Sequence, residues 1–199
     1  MKIIGLCGGS GSGKGVVTDI LLDFSIPSID TDLLYHNMIN RDTPCLRALR
    51  REFGEEIINT DGGLDRSVLR SIVFSAGGEE RRKKLNSITH HFILEETRRI
   101  IEKHRRAGAS AVVVDAPLLY ESGFDKECDL TVCVVADEEL RVSRILSRDG
   151  LTKEDAIKRI RGQFSNEELK KLSDFVIVNN GSISDLRAQV EDLCKKIII

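Results

Sequence analysis

The chain has 199 residues, of which 41 % are apolar and 31 % charged, with a formal net charge of -2. That length suits one compact domain with a small appended lid, and it buries enough core to fold without disulfides or a structural metal. The near-neutral balance argues against a general nucleic-acid or membrane binder, and the five cysteines, odd in number and without C-x-x-C spacing, argue against a disulfide framework or zinc site.

Five short apolar runs read as strands in chain order: "KIIGLC" (2–7), "SIPSID" (25–30), "AVVVDA" (111–116), "LTVCVVA" (130–136) and "FVIVN" (175–179). They are continuous rather than alternating, as in parallel strands covered on both faces. After the first run, Val16, Val17, Ile20, Leu21 and Phe24 recur at helical spacing. Residues 33–78 are polar and helical, with no strong strand. A charged helix is expected from Glu79 to Ala107, burying Leu85, Ile88, Phe92, Ile100 and Ile101 and stopping at Gly108. Thr152 with Asp155, Ser165 with Glu168 and Ser182 with Asp185 form capping-box patterns at later helix starts. The last helix carries Leu186, Val190, Leu193 and Ile197.

Alternating strands and helices predict an α/β fold: a five-stranded parallel doubly wound sheet flanked by helices. The expected organisation is a single domain with core 1–32, 79–136 and 173–199. A helical insertion at 33–78 lies over the carboxyl ends of the strands, where such sheets bind ligands, and a helical lid spans 137–172. The first apolar run is too short for a signal-peptide core, no stretch reaches membrane-span length, and free thiols fit a reducing, cytoplasmic setting.

"LCGGSGSGKGVV" (6–17) carries the chemistry. Gly8, Gly13 and Lys14 satisfy G-x-x-x-x-G-K between a strand and a helix. Glycines let successive backbone N–H groups converge on an anion, the helix N-terminus adds partial positive charge, and Lys14 reaches the terminal phosphates of a nucleotide. The next position normally supplies a Ser/Thr hydroxyl to Mg²⁺, and Gly15 supplies none. Three readings of Gly15 stand open: water completes the metal's shell, glycine eases packing at the helix start, or the chain is a pseudo-enzyme.

"SIDTDLLYH" places Asp30 and Asp32 two residues apart on an extended end, facing one side. Asp32 is either the carboxylate that orients an acceptor alcohol and takes its proton, or the N-cap of the helix beginning at Leu33. Asp115 ends a buried strand ahead of Pro117, and either supports a metal through its waters or makes a turn. From 139 to 163 the chain carries Arg141, Arg144, Arg148, Lys153, Lys158, Arg159 and Arg161. Arg141, Arg144 and Arg148 fall on one helical face, as a flap closing over phosphates requires, although a solvated basic face has the same pattern.

In this order the pieces resemble the dephospho-CoA kinase family. "GLCGGSGSGKG" stands where that family has a GLTGGIGSGKS-like loop, and "IDTD" where it has a D-x-D pair. "DGGLDRSVLRSIVF", "KLNSITHH", "DAPLLYESG", "RILSRDGLTKEDAIKRIRGQ" and "SDFVIVNNGSISDL" extend the likeness over nearly the whole chain. Departures are Gly15 for a Ser, Cys7 for a Thr, and His91, where the family usually has Pro, so a less kinked helix is expected there.

The resemblance implies ATP-dependent phosphorylation of the ribose 3′-hydroxyl of dephospho-CoA, with Mg²⁺ and with small molecules as the only partners of a monomer or weak homo-oligomer. It carries nucleotide binding onto Gly8, Gly9, Ser10, Gly11, Ser12, Gly13, Lys14, Gly15 and Val16, with Arg144, Arg148, Asn179, Asn180 and Gly181. Catalysis falls on Asp32, Lys14 and Arg144. Acceptor binding falls on Asp32, Asp65, Arg66, Leu69, Lys84, His90, Asp115, Leu118, Tyr120, Glu121 and Arg159. Two rivals remain at this level: another small-molecule kinase of the same class, and a slow NTP-hydrolysing switch, whose base-reading N-K-x-D motif is missing.

Overall fold

In this computed structural model residues 1–75 and 77–198 are described; Ala76, inside the expected insertion, and Ile199, at the end of the expected core, lie outside them. The chain divides into two compact units, Met1–Ile29 with Ile101–Ile199, and Asp30–Ile100.

The first unit is built on strands β1 (Lys2–Cys7), β2 (Ser28–Asp30), β3 (Ala111–Asp115), β4 (Leu130–Val135) and β5 (Phe175–Val178), in the order β2-β3-β1-β4-β5. The pairs β1–β3, β1–β4 and β4–β5 are parallel, and the fold is the doubly wound α/β sheet expected. All five residues of β3 are buried, which is why its sequence shows no alternation. β2 is shorter than the run 25–30: Ser25 takes a positive φ, and Pro27, with no N–H to donate, only accepts the Val113 N–H at 2.9 Å.

Helices α1 (Lys14–Asp23) and α9 (Ile183–Ile198) cover one face of the sheet. Val17, Ile20 and Leu21 of α1 pack with Leu186, Val190 and Leu193 of α9 over Ile4, Leu6, Val134 and Ile177. Burial of this apolar surface is the main driving force for the unit. In the segment expected to form a lid, α6 (Glu138–Asp149) and α7 (Lys153–Arg161) share a small core of Val142, Ile145, Ala156 and Ile160, and α8 (Asn166–Leu172) follows. Ser165 and Glu168 form the reciprocal capping box at α8, as do Ser182 and Asp185 at α9.

The second unit has its own core. Helices α2 (Thr31–Ile39), α3 (Pro44–Phe53) and α4 (Arg66–Val73) bury Ile39, Leu46, Leu49, Phe53, Leu69 and Val73. Leu85, Ile88 and Phe92 of α5 (Glu79–Arg106) pack against that core. Local chemistry sets the ends of α3: Thr43 accepts the Leu46 N–H at 3.1 Å, Pro44 pre-sets the first turn, and Gly54 follows. α5 runs unbroken through His91, as the missing proline predicts, and ends before Gly108 at a φ of 79°.

Candidate active site

The loop Gly8–Gly13 leaves the carboxyl end of the central strand β1 and opens α1. Position in the sheet matters: β3 lies to one side of β1 and β4 to the other, which makes this the switch point where doubly wound sheets receive ligands. The first turn of α1 has no acidic residue. Among the described residues, the N–H groups of Gly11, Gly13, Lys14 and Gly15 meet no acceptor, whereas Ser12 N–H closes a turn onto the Gly9 carbonyl at 3.0 Å. Four such N–H groups at a helix N-terminus are the donors that an anion site uses.

The loop's carbonyls are drawn to the other side. Arg144 Nη1 donates to Gly11 O at 3.2 Å and Ser12 O at 3.4 Å, and its Nη2 donates to Asn179 O at 3.1 Å. Asn179 is buried, and its Nδ2 donates to Ser12 O at 2.8 Å. Asn180 accepts the Asp137 N–H at 2.9 Å, tying the chain after β5 to the chain after β4. Gly181 packs on the Asp185 carboxylate. Val16 and Gly15 are exposed on the first turn of α1.

Lys14 Nζ forms an ion pair with Asp115, which is buried at the end of β3. Its carboxylate thus lies beside the lysine of the loop. Gly15 departs from one expectation. A Cβ built on it meets nothing within 4 Å, so tight packing is not the reason for glycine there. Thr18 does not substitute for the missing hydroxyl, since its Oγ1 donates to the Gly15 carbonyl at 2.7 Å. At the loop, the strand-end carboxylate Asp115 is a donor that could hold Mg²⁺. That fits an ion that keeps several waters and takes one or two carboxylates. Among the described residues no group of three or more His, Cys, Asp or Glu side chains forms a metal cluster.

The arginines of α6 and α7 divide into two groups. Arg144 and Arg141 turn to the loop, with Arg141 Nε donating to Ser10 O at 2.9 Å. Arg148 and Arg159 both meet Asp149 at the end of α6, with bonds of 2.6 and 2.5 Å. The Arg148 hydrogen bond, reinforced by Arg159, holds the Asp149 carboxyl down to about 2. Also in the first unit, Leu118 and Glu121 are exposed, and Tyr120 shares a 2.7 Å hydrogen bond with Ser173 while meeting Phe164 edge-on. Burial raises the Tyr120 phenol above its ordinary value and pushes the nearby Cys7 thiol up to about 12. Cys7, at the end of β1, is thus an inert buried hydrophobe, as its neighbours in sequence suggest.

In the second unit the acidic pair is arranged differently from the extended one expected. The chain enters α2 at Thr31, so Asp30 is the N-cap and accepts the Leu33 N–H at 2.9 Å. Asp32 is not the cap; it stands exposed in the first helical turn, where a negative charge suits the helix dipole. His36 lies one turn along from Asp32, and its Nδ1 is 2.9 Å from Arg66 Nη2. Sequence reading did not single out His36, although its i+4 spacing from Asp32 was the available signal.

Asp65 caps α4 by accepting the N–H groups of Ser67 and Val68, which hold its carboxyl below the ordinary range, with the Ser67 hydroxyl contributing most. Lys84 lies 3.7 Å from Glu52. His90 is half-buried, and desolvation lowers its pKa. Leu69 is 4 % exposed and packs within the second core.

Comparison with known proteins agrees with this architecture. The dephospho-CoA kinase family profile matches residues 2–185. A dephospho-CoA kinase of Symbiobacterium thermophilum is 41 % identical over 191 residues, spanning 96 % of this chain and 79 % of the relative. A crystal structure from Thermus thermophilus superposes with a TM-score of 0.81 at 33 % identity, covering 98 % of this chain and 97 % of the other. The dephospho-CoA kinase of Campylobacter jejuni superposes at a TM-score of 0.71 and 25 % identity, covering 98 % and 96 %. Among the described residues no helix is long and apolar enough to cross a membrane.

Proposed function

The chain belongs to the dephospho-CoA kinase family, and on that premise we propose a role for each group described above. The enzyme is an ATP-dependent phosphotransferase of the last step of coenzyme A synthesis. The γ-phosphoryl group passes from ATP to the ribose 3′-hydroxyl of dephospho-CoA, giving CoA and ADP. The new bond joins the 3′-oxygen to the γ-phosphorus, the bond to the bridging oxygen breaks, and ADP carries away that electron pair.

The single observation that carries the assignment of roles is the division of the loop's polar groups. Arg144 and Asn179 take the carbonyls of Gly11 and Ser12, leaving the N–H groups of Gly11, Gly13, Lys14 and Gly15 for the β- and γ-phosphates. Lys14 exchanges Asp115 for phosphate oxygen when ATP binds, and supplies charge where it accumulates in the transition state. Arg144 adds a second fixed charge behind the loop. Arg148 and Arg159, held at Asp149, are the lid cations that transfer to phosphate on closure. Asp115 would hold Mg²⁺ through water. When bound, the ion neutralises charge on the β- and γ-oxygens.

Asp32 accepts the proton of the acceptor hydroxyl and orients its oxygen. It stands exposed on the first turn of α2, and Asp30 rather than Asp32 caps that helix. Asp65, Arg66, Lys84 and His90 are the acceptor candidates of the second unit, and Leu118, Tyr120 and Glu121 those of the first. The enzyme works as a monomer or weak homo-oligomer in a reducing compartment; the five free cysteines support the compartment.

The test is a substrate panel of ATP·Mg²⁺ with dephospho-CoA, AMP, shikimate or no acceptor, run on the wild type and on Asp32→Asn. ADP release is expected only with dephospho-CoA. Asp32→Asn should lower kcat by about a hundredfold or more and leave the Kd for ATP within about twofold. Acceptor-independent hydrolysis alone, or full activity of Asp32→Asn, defeats the proposal.

A further inference from the structure

Arg141 is a cation on α6 with 3 % of its surface exposed. Among the described residues no carboxylate lies within ion-pair distance of it. Its hydrogen bonds end on neutral oxygens: Nε on Ser10 O at 2.9 Å, Nη2 on Gln163 Oε1 at 3.4 Å and Nη1 on Asn166 Oδ1 at 3.4 Å. Such oxygens satisfy N–H donors but leave the charge uncompensated, and a buried charge without a counter-ion is costly. Burial accordingly pulls the Arg141 pKa below its ordinary value, against the through-space charge of Glu138 on the same helix.

The same residues grip the phosphate loop. Gln163 Oε1 accepts the Ser10 N–H at 2.9 Å while Arg141 takes the Ser10 carbonyl, so both backbone polar groups of Ser10 are held from the lid side. Asn166 in turn donates Nδ2 to Ala136 O at 2.9 Å, anchoring the group to the end of β4. The approach is close enough to dictate composition. A Cβ on Gly9 would run into the Arg141 guanidinium, and one on Gly11, whose φ is 78°, would lie 2.6 Å from the Arg141 carbonyl oxygen. The backbone of α6 at Arg141 therefore accounts for glycine at position 11, whereas a side chain at position 9 would meet only the movable end of Arg141.

We infer that Arg141 is a positioning residue for nucleotide binding: with Gln163 it fixes the Ser10 peptide so that the loop is shaped for a triphosphate in advance, and the bound triphosphate is its missing counter-ion. This rests on the reading of the loop as the ATP site. Pre-shaping the loop removes ordering cost from binding, and the charge strengthens as the site loses water. Dephospho-CoA is not a beneficiary, because Arg141 touches only the loop and the lid.

The test uses the full chain and four variants: Arg141→Gln, Arg141→Lys, Gln163→Ala and Lys14→Met. Calorimetry gives the Kd for ATP, steady-state kinetics separate KM for ATP from KM for dephospho-CoA, and thermal unfolding of the nucleotide-free protein reports the fold. Arg141→Gln is expected to raise Kd and KM for ATP about tenfold while KM for dephospho-CoA stays within about twofold. Arg141→Lys, which keeps the charge, should recover part of that loss, and Gln163→Ala should weaken ATP about threefold. A folded Arg141→Gln that binds ATP like the wild type, or that loses both substrates equally, overturns the inference. If Arg141→Gln does not fold, Gln163→Ala decides, and unchanged ATP affinity there overturns it. Lys14→Met separates the two failures. If it too leaves ATP binding intact, the loop is not the ATP site; if it alone weakens binding, only the role of Arg141 is lost.

Discussion

Replacing Gly15 by Ser and, in parallel, by Ala separates two properties that this position combines. Gly15 lies in the first turn of α1 at an ordinary helical φ, is exposed, and has open space where a Cβ would go. No clash opposes a side chain, so the backbone term acts alone. Glycine costs a helix about 0.5–1 kcal/mol relative to alanine, largely through unfolded-chain entropy. For a chain of this size about 1 kcal/mol moves Tm by roughly 2–4 °C. Gly15→Ala should thus raise Tm by about 1–4 °C, and Gly15→Ser, with its weaker helix propensity, by about half as much.

The hydroxyl of Ser adds one oxygen that can replace a water on Mg²⁺. Its net worth, like that of an ordinary polar exchange with water, is about 1 kcal/mol, or about fivefold in half-saturating Mg²⁺. The assay is calorimetric Tm without ligands, followed by Mg²⁺ titration of ADP release at saturating ATP and dephospho-CoA. Gly15→Ser should shift the titration to lower Mg²⁺, and Gly15→Ala should not. A fall in Tm for both variants would refute the open space at position 15. An unchanged Mg²⁺ requirement in Gly15→Ser would refute the idea that the missing hydroxyl limits metal affinity.

Leu49→Ala in the fully buried core of the second unit should lower Tm by about 5–15 °C, from a cavity cost of about 2–5 kcal/mol; an unchanged Tm would mean that this core does not support the fold. His90 has a pKa below its ordinary 6.5 because burial disfavours the imidazolium. Its folded pKa is the depressed one, so its contribution to stability is complete above pH 6.5 and is lost as pH falls from there through the folded value. Unfolding measured from pH 8 down to pH 5 should show a shallower acid-side loss in His90→Gln than in wild type, and identical slopes would remove this histidine from the account.

Much of the first unit is legible in the chain because its determinants are local or periodic. The strands 111–115 and 130–135 are continuous apolar runs since both faces of the sheet are covered, and the phosphate loop is a short string of glycines between a strand and a helix. The end of α5 at Gly108 and the reciprocal caps of α8 and α9 are written in neighbouring residues. Sequence spacing misled at Asp30 and Asp32, because it does not show whether the chain is still extended or has already entered the helix; the Asp30 carboxylate settles this by capping Leu33.

The sequence by itself determined the sheet, the glycine loop between strand and helix, the basic segment 139–163 and, through motifs spread along the chain, the family. Only the tertiary structure decided what each basic residue does. Arg141, Arg144 and Arg148 share one helical face in sequence, yet two reach loop carbonyls more than a hundred residues away and the third binds its neighbour Asp149. The reason is that a charged side chain's role is set by which oxygens surround it, and the oxygens that brace this loop come from segments far apart in the chain.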